Sequence, residues 1–516
     1  MNSLNKVIDI GNEFAKVTGA DAVDELDQVR KEFLSIYYQP EKGVDLAGAT
    51  EVIVDYINEK YWIYTVRDDD RNEMWIYQEG IYTPNGKTVI KEIVREVTLK
   101  RYKKSVSDVV ISKVEADTGI DKHNFFKEED LKYCCLKNGV FDLQLGKLLP
   151  FTPDLRFFNK INASHDINAT CEGIIKFFKS VLSSDIDLAL MQEVIGSCLY
   201  REYRWEKSFM FLGSGRNGKG KSIALIKNFL GADNVSSLSL SSIANGGTMV
   251  GDLFGKLANV AGDLSKTSLK ETGLFKEVTG RDMITCDRKY KTPLHFVNYA
   301  KMVFCANELP YVYDNSLGFY DRWEIIDFKY TFVPESEYNE ADDKKYLKIR
   351  DPNIIDAIST QEELDGLFLW AYEGLQRLMN NSSFSKCMSS DATKRQWMRN
   401  SSSFNGFIMD CTSIALDSWV SKEKLRQYYM MYCQLYKLDS ANDTVIKKAL
   451  ELEGVGDSRK SGTWGWFGIS LKKWEDIFKD NKELLIKAST IQSNLNKIGA
   501  ITEPEILIVT EERIKV

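Results

Sequence analysis

Residues 213–222, Gly213-Ser214-Gly215-Arg216-Asn217-Gly218-Lys219-Gly220-Lys221-Ser222, limit what this chain can fold into more than any other stretch. The apolar run Phe209–Leu212 before them reads as a buried strand, and Ile223–Leu230 after them has helical spacing. A glycine-rich turn between strand and helix can aim its backbone N–H groups at phosphate oxygens. The positive helix end and a lysine that reaches the β- and γ-phosphates complete such a loop. Each residue of the stretch is a candidate nucleotide contact.

Two registers fit. The strict pattern runs from Gly215 to Ser222, with Lys221 as the phosphate lysine and Ser222 as the magnesium hydroxyl. The other starts at Gly213, directly after the strand, makes Lys219 the lysine and puts Gly220 where Ser or Thr normally sits. We favour Lys219, because the loop should begin where the strand ends.

With 516 residues and 43% hydrophobic content, the chain can bury more than one core. Its net charge of −7 excludes a uniformly basic surface, so nucleic-acid contacts must come from local patches. The 9 cysteines and 3 histidines form neither a C-x-x-C pair nor a mixed cluster, which suits reduced, buried thiols in an intracellular protein better than zinc. The sequence carries no signal-type leader and no run of about eighteen apolar residues. We expect a cytoplasmic chain without membrane contact.

Residues 1–50 have mixed charge and scattered apolar positions that suit helices. Tyr61–Val66 and Met74–Tyr77 are aromatic and β-branched and predict a hairpin. Asp68-Asp69-Asp70 at its tip reads as a solvated turn rather than a metal cluster, since no second acidic strand accompanies it. Lys87–Ile120 has helical spacing, Leu136–Leu143 and Gly146–Leu149 suggest a strand pair, and residues 172–200 form a helical block before the nucleotide strand.

Three polar groups follow the loop, with Asp263 44 residues after Lys219 and Asn307 44 residues after Asp263. Asp263 ends the run Leu257–Asp263, Asn307 follows Ala300–Ala306, and Arg322 precedes the strand-like Glu324–Phe328. The gaps leave room for crossover helices, so parallel strands can bring all three to one sheet edge. Asp263 can hold magnesium through water or orient the attacking water, and Asn307 can hydrogen-bond that water or the γ-phosphate. Arg322 can neutralise transition-state charge on a neighbouring subunit's nucleotide. Between Asp263 and Asn307, apolar arms flank Arg288-Lys289-Tyr290-Lys291. That predicts a hairpin tip whose cations meet a nucleic-acid backbone while Tyr290 packs on a sugar or base.

Farther on, Leu364, Leu367, Phe368, Ala371, Leu375 and Leu378 form a helical stripe of core character, and residues 381–403 read as a polar linker. A helix carrying Leu425, Tyr429, Tyr432 and Tyr436 and another carrying Val445, Ala449 and Leu452 precede the basic turn at Arg459-Lys460-Ser461-Gly462. Helix, helix, hairpin is a winged-helix pattern, with Lys447, Lys448, Arg459 and Lys460 as phosphate contacts. Glu505–Val509 is strand-like.

In this order the features resemble superfamily 3 helicases, and more closely the helicase half of the phage/plasmid and poxvirus-type primase-helicases. Gly213–Gly220 is similar to that family's G-x-G-x-N-G-K-[SG], and Lys276–Asp282 to the element before its DNA-contacting hairpin. Ala306-Asn307-Glu308-Leu309-Pro310 resembles its sensor, and Phe319–Trp323 its arginine-finger segment, with Asp321 in place of a first arginine. Lys137–Leu143 resembles part of the accompanying domain. The resemblance implies an AAA+ ATPase that uses ATP and Mg2+, assembles as a homo-oligomeric ring, a hexamer, and moves 3′ to 5′ on single-stranded or forked DNA. Two departures stand out. Asp263 is a lone carboxylate between Gly262 and Leu264, and no polymerase-type priming domain is evident, which implies a separate primase or polymerase partner.

The expected fold is multidomain α/β. An N-terminal α+β domain (1–165) and helical collar (166–204) lead to a central AAA+ P-loop ATPase with a parallel sheet (205–380). A linker (381–403), a winged helix (404–475) and a C-terminal extension (476–516) follow. The expected function is an ATP-dependent replicative DNA helicase of a virus, plasmid or mobile element, in the host cytoplasm if viral. A winged-helix NTPase switch would not need the basic hairpin, and an origin-binding initiator without unwinding would not need Arg322.

Overall fold

The computed structural model describes residues 19–39, 43–67, 72–126, 131–263, 269, 271–288, 291–310, 312, 314, 316–386, 388–436, 438–478 and 482–497. They fall into two compact units, the first built from 1–263, 272–305 and 324–387, the second from 264–271, 306–323 and 388–516. No helix among the described residues is long and apolar enough to cross a membrane.

In the first unit, helices Gly19–Tyr37, Leu46–Lys60, Gly86–Thr98 and Lys104–Asp117 pack around Phe33, Ile53, Ile57, Ile90, Val94 and Val110. A four-stranded sheet joins them, in the order Ile81–Thr83, Glu73–Gln78, Ile63–Arg67, Gly119–Asp121. The expected hairpin is there, pairing Ile63 with Ile76 and Thr65 with Met74; Asp68-Asp69-Asp70 lies outside the described residues. The stretch 136–143 is not one strand. Tyr133–Leu136 and Gly139–Asp142 pair across a turn at Lys137-Asn138, and Lys147–Leu149 adds a third strand. Gly139 has φ +155, and a Cβ there would meet the Leu149 carbonyl oxygen at 2.4 Å, so the turn needs glycine.

The central sheet carries the nucleotide strand. We label its strands from that point on: β1 Ser208–Leu212, β2 Val235–Ser236, β3 Ala258–Asp263, then a hairpin β4 Met283–Arg288 and β5 Lys291–Val297, β6 Lys301–Ala306 and β7 Trp323–Asp327. The sheet order is β2-β3-β6-β1-β7, with β2, β3 and β6 parallel. Strand β1 is buried throughout, as expected of a strand covered on both faces. The collar helices Glu172–Val181 and Asp185–Ser197, with Gln361–Asn381, pack on this sheet through Phe178, Leu190, Val194, Leu367, Phe368 and Leu375. The stripe read from 364 to 378 is core. Glycines let two of these helices approach closely: a Cβ at Gly196 would lie 2.3 Å from the Ala371 carbonyl oxygen, and one at Gly374 2.7 Å from that of Gln192. Arg377 then ties the helices, donating to Glu193 at 2.7 Å and to Gln192 at 2.8 Å. Glu193 is fully buried, so this pair fixes geometry more than it adds stability.

The second unit corrects three expectations. Residues 381–403 are not a linker: Ser390–Ser401 is a helix whose N-cap, Ser389, accepts from the Ala392 N–H. Its Trp397 is buried against Phe319, Tyr320 and Trp323 and donates its indole N–H to the Pro310 carbonyl at 2.9 Å. The serines that suggested a linker are helix ends. The extension from 476 is not separate either, because helix Lys482–Lys497 brings Ala488, Leu484 and Leu485 into the unit's core. In helix Asp443–Leu452 the buried positions are Ile446 and Leu450, while Val445 stays 43% exposed. The apolar stripe is shifted by one residue from the face first read. Residues 505–509 lie outside the described residues.

After Ser403–Cys411 come β8 Thr412–Ser421, helices Lys422–Tyr436 and Asp443–Leu452, then β9 Gly456–Lys460 and β10 Thr463–Leu471, with β10 central in a β8-β10-β9 sheet. The order is helix, strand, helix, helix, strand, strand. Strand β8 and helix Ser403–Cys411 were not anticipated from the sequence.

Candidate nucleotide-binding site

The chain leaving β1 turns to one side of the sheet, toward β2, while the chain leaving β6 continues to β7 on the other side. Open α/β sheets bind ligands at such a reversal, outside the carboxyl ends of the strands. The glycine-rich loop lies there.

Helix Lys219–Leu230 begins at Lys219, with Gly218 at φ +90 as its cap. Gly215 (φ +102) and Arg216 (φ +48) bend the loop ahead of it. Two glycines have no room for a side chain. A Cβ at Gly213 would lie 1.9 Å from Asn217 Nδ2, and one at Gly218 2.5 Å from Val181 Cγ1. Gly220 differs, since a Cβ there would meet nothing within 4 Å.

The two lysines part company. Lys219 is 4% exposed, and its ammonium donates to the Gly213 carbonyl at 2.5 Å and to Asn217 Oδ1 at 3.1 Å. Lys221 is exposed and donates to the Pro352 carbonyl at 3.0 Å, on a different segment. Ser222 is buried, with its hydroxyl donating to the Gly218 carbonyl at 3.1 Å. The buried Asn217 adds a bond from Nδ2 to the Phe328 carbonyl at 3.2 Å. Backbone bonds from Phe328 N to Leu212 O and from Phe332 N to Arg216 O, each 2.7 Å, hold the chain after β7 against the loop. Arg216 reaches Glu337 at 3.3 Å, and Ser214 is exposed at the loop's outer side. Glycine spacing does not reveal that residues 328–337 brace the loop; those contacts span more than a hundred residues.

Asp263 closes β3, where it is in register with Cys305 across a bulge. Strands β3 and β6 therefore end together, and Asn307 directly follows β6. Asn307 and Arg322 belong to the second unit. There Arg322 follows helix Leu317–Tyr320 and donates to the Gly318 carbonyl at 2.6 Å. Asp263 thus ends a strand two places from β1 in the sheet, while Arg322 lies in the second unit.

Strands β4 and β5 pair antiparallel from Met283–Val297 to Arg288–Lys291, so the expected basic hairpin exists; Lys289 and Tyr290 lie outside the described residues. In the second unit, β9 and β10 pair up to Lys460–Thr463 around Ser461 (φ +49) and Gly462 (φ +84), a two-residue turn of the kind hairpins favour. Lys460 is exposed, and Arg459 donates to the Gly462 carbonyl at 3.1 Å and lies over Trp464. Lys447 and Lys448 are exposed on the preceding helix, with Lys447 3.8 Å from Glu451.

A different lysine, not singled out from sequence, is also buried. Lys301, at the start of β6, donates to the Tyr200 and Tyr299 carbonyls at 2.8 Å each, and burial pulls its pKa down to about 8.

Comparison with known proteins is consistent in part with these expectations. A family of unknown function (DUF5906) matches residues 211–322, which span the loop and the segment through Arg322. The chain is 25% identical over 315 residues, 58% of its length, to "Putative helicase L207/L206" of Acanthamoeba polyphaga mimivirus. It is 22% identical over 281 residues, 50% of its length, to "Putative helicase 184R" of Invertebrate iridescent virus 6. It spans less than a third of these relatives, 31% and 28% of their respective lengths. Among solved structures, one titled "The A form apo structure of NrS-1 C terminal region-CTR" aligns with TM-score 0.40 and 12% identity, over 81% of this chain and 98% of that one. The chain is thus similar to helicase-named proteins of large DNA viruses.

Proposed function

We propose that this chain is the ATP-dependent motor of a DNA helicase serving replication of a large DNA virus or related element, acting in the host cytoplasm. The observation that carries the reading is Lys219, a buried lysine held over a glycine-rich loop at the head of a helix, at the carboxyl edge of a parallel sheet. A lysine in that position is what a triphosphate needs. Among its partners are a carbonyl and an amide oxygen, neutral groups that can yield to phosphate oxygens. The similarity to viral helicase-named proteins supports DNA as the track.

The loop residues Gly213 to Ser222 would hold ATP through backbone N–H groups and Lys219. Magnesium, when bound with ATP, neutralises charge on the phosphates. Gly220 offers no hydroxyl for it and the Ser222 hydroxyl is turned to Gly218, so we assign Asp263 to hold it through water. Asn307 would orient the attacking water from the end of β6. Arg322 would act on a neighbouring subunit's nucleotide, which requires a ring; we take it to be a hexamer of superfamily 3, AAA+ type, moving 3′ to 5′. The β4–β5 tip, with Arg288, Lys289, Tyr290 and Lys291, would grip the single strand. Unit two, read as a winged helix, would meet duplex or fork phosphates through Lys447, Lys448, Arg459 and Lys460. Priming would fall to a separate primase or polymerase.

The test is ATPase activity with and without single-stranded DNA, for wild type, Lys219→Ala, Lys221→Ala and Lys289→Ala. DNA-stimulated hydrolysis that Lys219→Ala abolishes, and whose stimulation alone Lys289→Ala removes, is the expected result. Robust hydrolysis indifferent to DNA would sink the motor reading, and loss through Lys221 alone would move the loop register to Gly215.

A further inference from the structure

Two hollows lie side by side at the base of the β4–β5 hairpin, about 430 and 480 Å3 in volume, sharing Lys122, Phe126 and Phe254 in their walls. All their wall residues belong to the first unit. Neither hollow is near the phosphate loop in its lining residues, and the nucleotide reading makes no use of them.

Their walls are aromatic. Trp75, Phe126, Phe158 and Phe254 are each only half-buried, and they meet edge to face: Trp75–Phe158 at 5.3 Å, Trp75–Phe126 at 5.5 Å and Phe126–Phe254 at 5.0 Å. Phe254 continues the series to Phe296 of β5 at 5.6 Å. The part of these four rings that stays open to water forgoes burial worth about 25 cal/mol per Å2 of apolar surface, so the wall suits a ligand with flat apolar faces. Lys87 and Lys122 bring positive charge to the rim, the sign that suits phosphate. Lys122 donates to the Pro293 carbonyl of β5 at 3.5 Å, and His123 and His295 are exposed; Glu73 is the single carboxylate on the described walls.

The hairpin itself forms part of both walls, through Leu294 in one hollow and Met283, His295 and Phe296 in the other. From Met283 to Arg288 along β4 is roughly 17 Å at ~3.3 Å per residue. A strand gripped at the basic tip and laid along this arm would reach the aromatic hollows a few nucleotides later.

We propose that these paired hollows are a base-binding site for single-stranded DNA, in which unpaired nucleobases insert against Phe126 and Phe254 while Lys122 meets the adjoining phosphate. Base–aromatic stacking is tolerant of sequence and contributes substantially per base. A volume of several hundred Å3 suits one or two bases rather than a duplex. The proposal does not depend on ATP hydrolysis, and it concerns a surface separate from the hairpin tip.

The test uses the full chain without nucleotide. Fluorescence anisotropy would compare an oligothymidylate with an abasic oligomer of the same length, for wild type, Phe254→Ala and Lys289→Ala. Phe254→Ala should weaken oligothymidylate about tenfold and leave abasic binding unchanged, whereas Lys289→Ala should weaken both alike. In parallel, an oligomer carrying 5-iodouracil would be photocrosslinked to wild type and the adducts mapped, with Trp75, Phe126 or Phe254 expected. Crosslinks confined to other peptides overturn the proposal even if the Phe254 variant fails to fold. Equal affinity of wild type and a folded Phe254→Ala for oligothymidylate overturns it as well. Absence of ATPase activity would instead strike the motor reading and leave this site standing.

Discussion

The phosphate loop and the β9–β10 turn are both glycine-containing basic turns, yet they are built in opposite ways. In the loop, side chains are tied inward: Lys219 is bonded to Gly213 and Asn217, Asn217 to Phe328, and Ser222 to Gly218. In the β9–β10 turn the backbone geometry is supplied by Ser461 and Gly462, and Lys460 is left in solvent. If the loop holds a triphosphate, as we propose, donors pre-set at fixed distances suit that compact anion. A long polyanion is met by the number of cations on a face, and each can stay loose. The same residue types, glycine and lysine, are thus tied inward in one turn and left in solvent in the other, a difference that the two proposed ligands would explain.

The largest effect that could break this contrast lies in the two loop lysines. Lys219→Ala should lower ATP turnover by about a hundredfold or more, the scale on which a single pre-organised charge contact acts. Lys221→Ala should change it less than about threefold, since its exposed ammonium donates to the Pro352 carbonyl on a different segment. Steady-state hydrolysis measures both, and comparable losses would show that burial is a poor guide to function here.

Asn217 comes next, because it braces both the lysine and the segment after β7. Asn217→Ala leaves the buried Phe328 carbonyl without that donor, a loss of about 1–3 kcal/mol. Thermal unfolding should show the drop, and ATP affinity should fall roughly tenfold as Lys219 loses its orientation. An unchanged melting temperature would mean the brace is not structural.

Glycine tolerance sharpens the comparison from the other side. Gly465→Ala in β10 would place a Cβ 2.3 Å from the Trp419 ring, an overpacking cost of about 1–3 kcal/mol. Gly220→Ser should be nearly neutral for stability, because nothing lies within 4 Å. Denaturant unfolding separates the two.

Much of this was readable in the sequence, and the reasons are physical. Strand, glycine loop and helix are local, so Phe209–Leu230 declared themselves, and the hairpin arms around 288–291 did so by alternation. What escaped depends on contacts distant in sequence. The polar ends at 380–383 and 401–403 looked like a linker because capping and linker compositions coincide, and Trp397 among Phe319, Tyr320 and Trp323 shows that the segment is packed. In Asp443–Leu452 the apolar residues at 445 and 446 are adjacent, so periodicity alone could not choose the buried one. Lys301 was passed over because a lysine opening a strand looks solvent-exposed; its two carbonyl partners come from residues 200 and 299.

Lys301 is buried as Lys219 is, and pH probes its charge state. Burial lowers its pKa to about 8 from 10.5, so the charged form is disfavoured in the folded chain. Between about pH 8 and 10.5 the unfolded chain holds a proton there that the folded chain has released, so stability contributed by this site rises with pH across that window. Relative to Lys301→Met, whose side chain does not titrate, wild type should gain on the order of 1 kcal/mol per pH unit between pH 8 and 10 in denaturant unfolding. A constant difference across that range would mean Lys301 keeps its proton.

The smallest effect belongs to the exposed turn. Lys460→Ala removes one exposed cation of the four proposed, the others being Arg459, Lys447 and Lys448. If these meet DNA phosphates independently, affinity should fall only a few-fold, equally for all sequences, and the slope of log affinity against log salt should shrink by about one. Arg459→Ala should do somewhat more, since its guanidinium is held by the Gly462 carbonyl and the Trp464 ring and so loses less freedom on binding. Should Lys460→Ala instead cost a hundredfold, or act on one sequence only, the turn would be a pre-set site like the phosphate loop. The division between inward and outward lysines would then have to be redrawn around base contacts rather than phosphates.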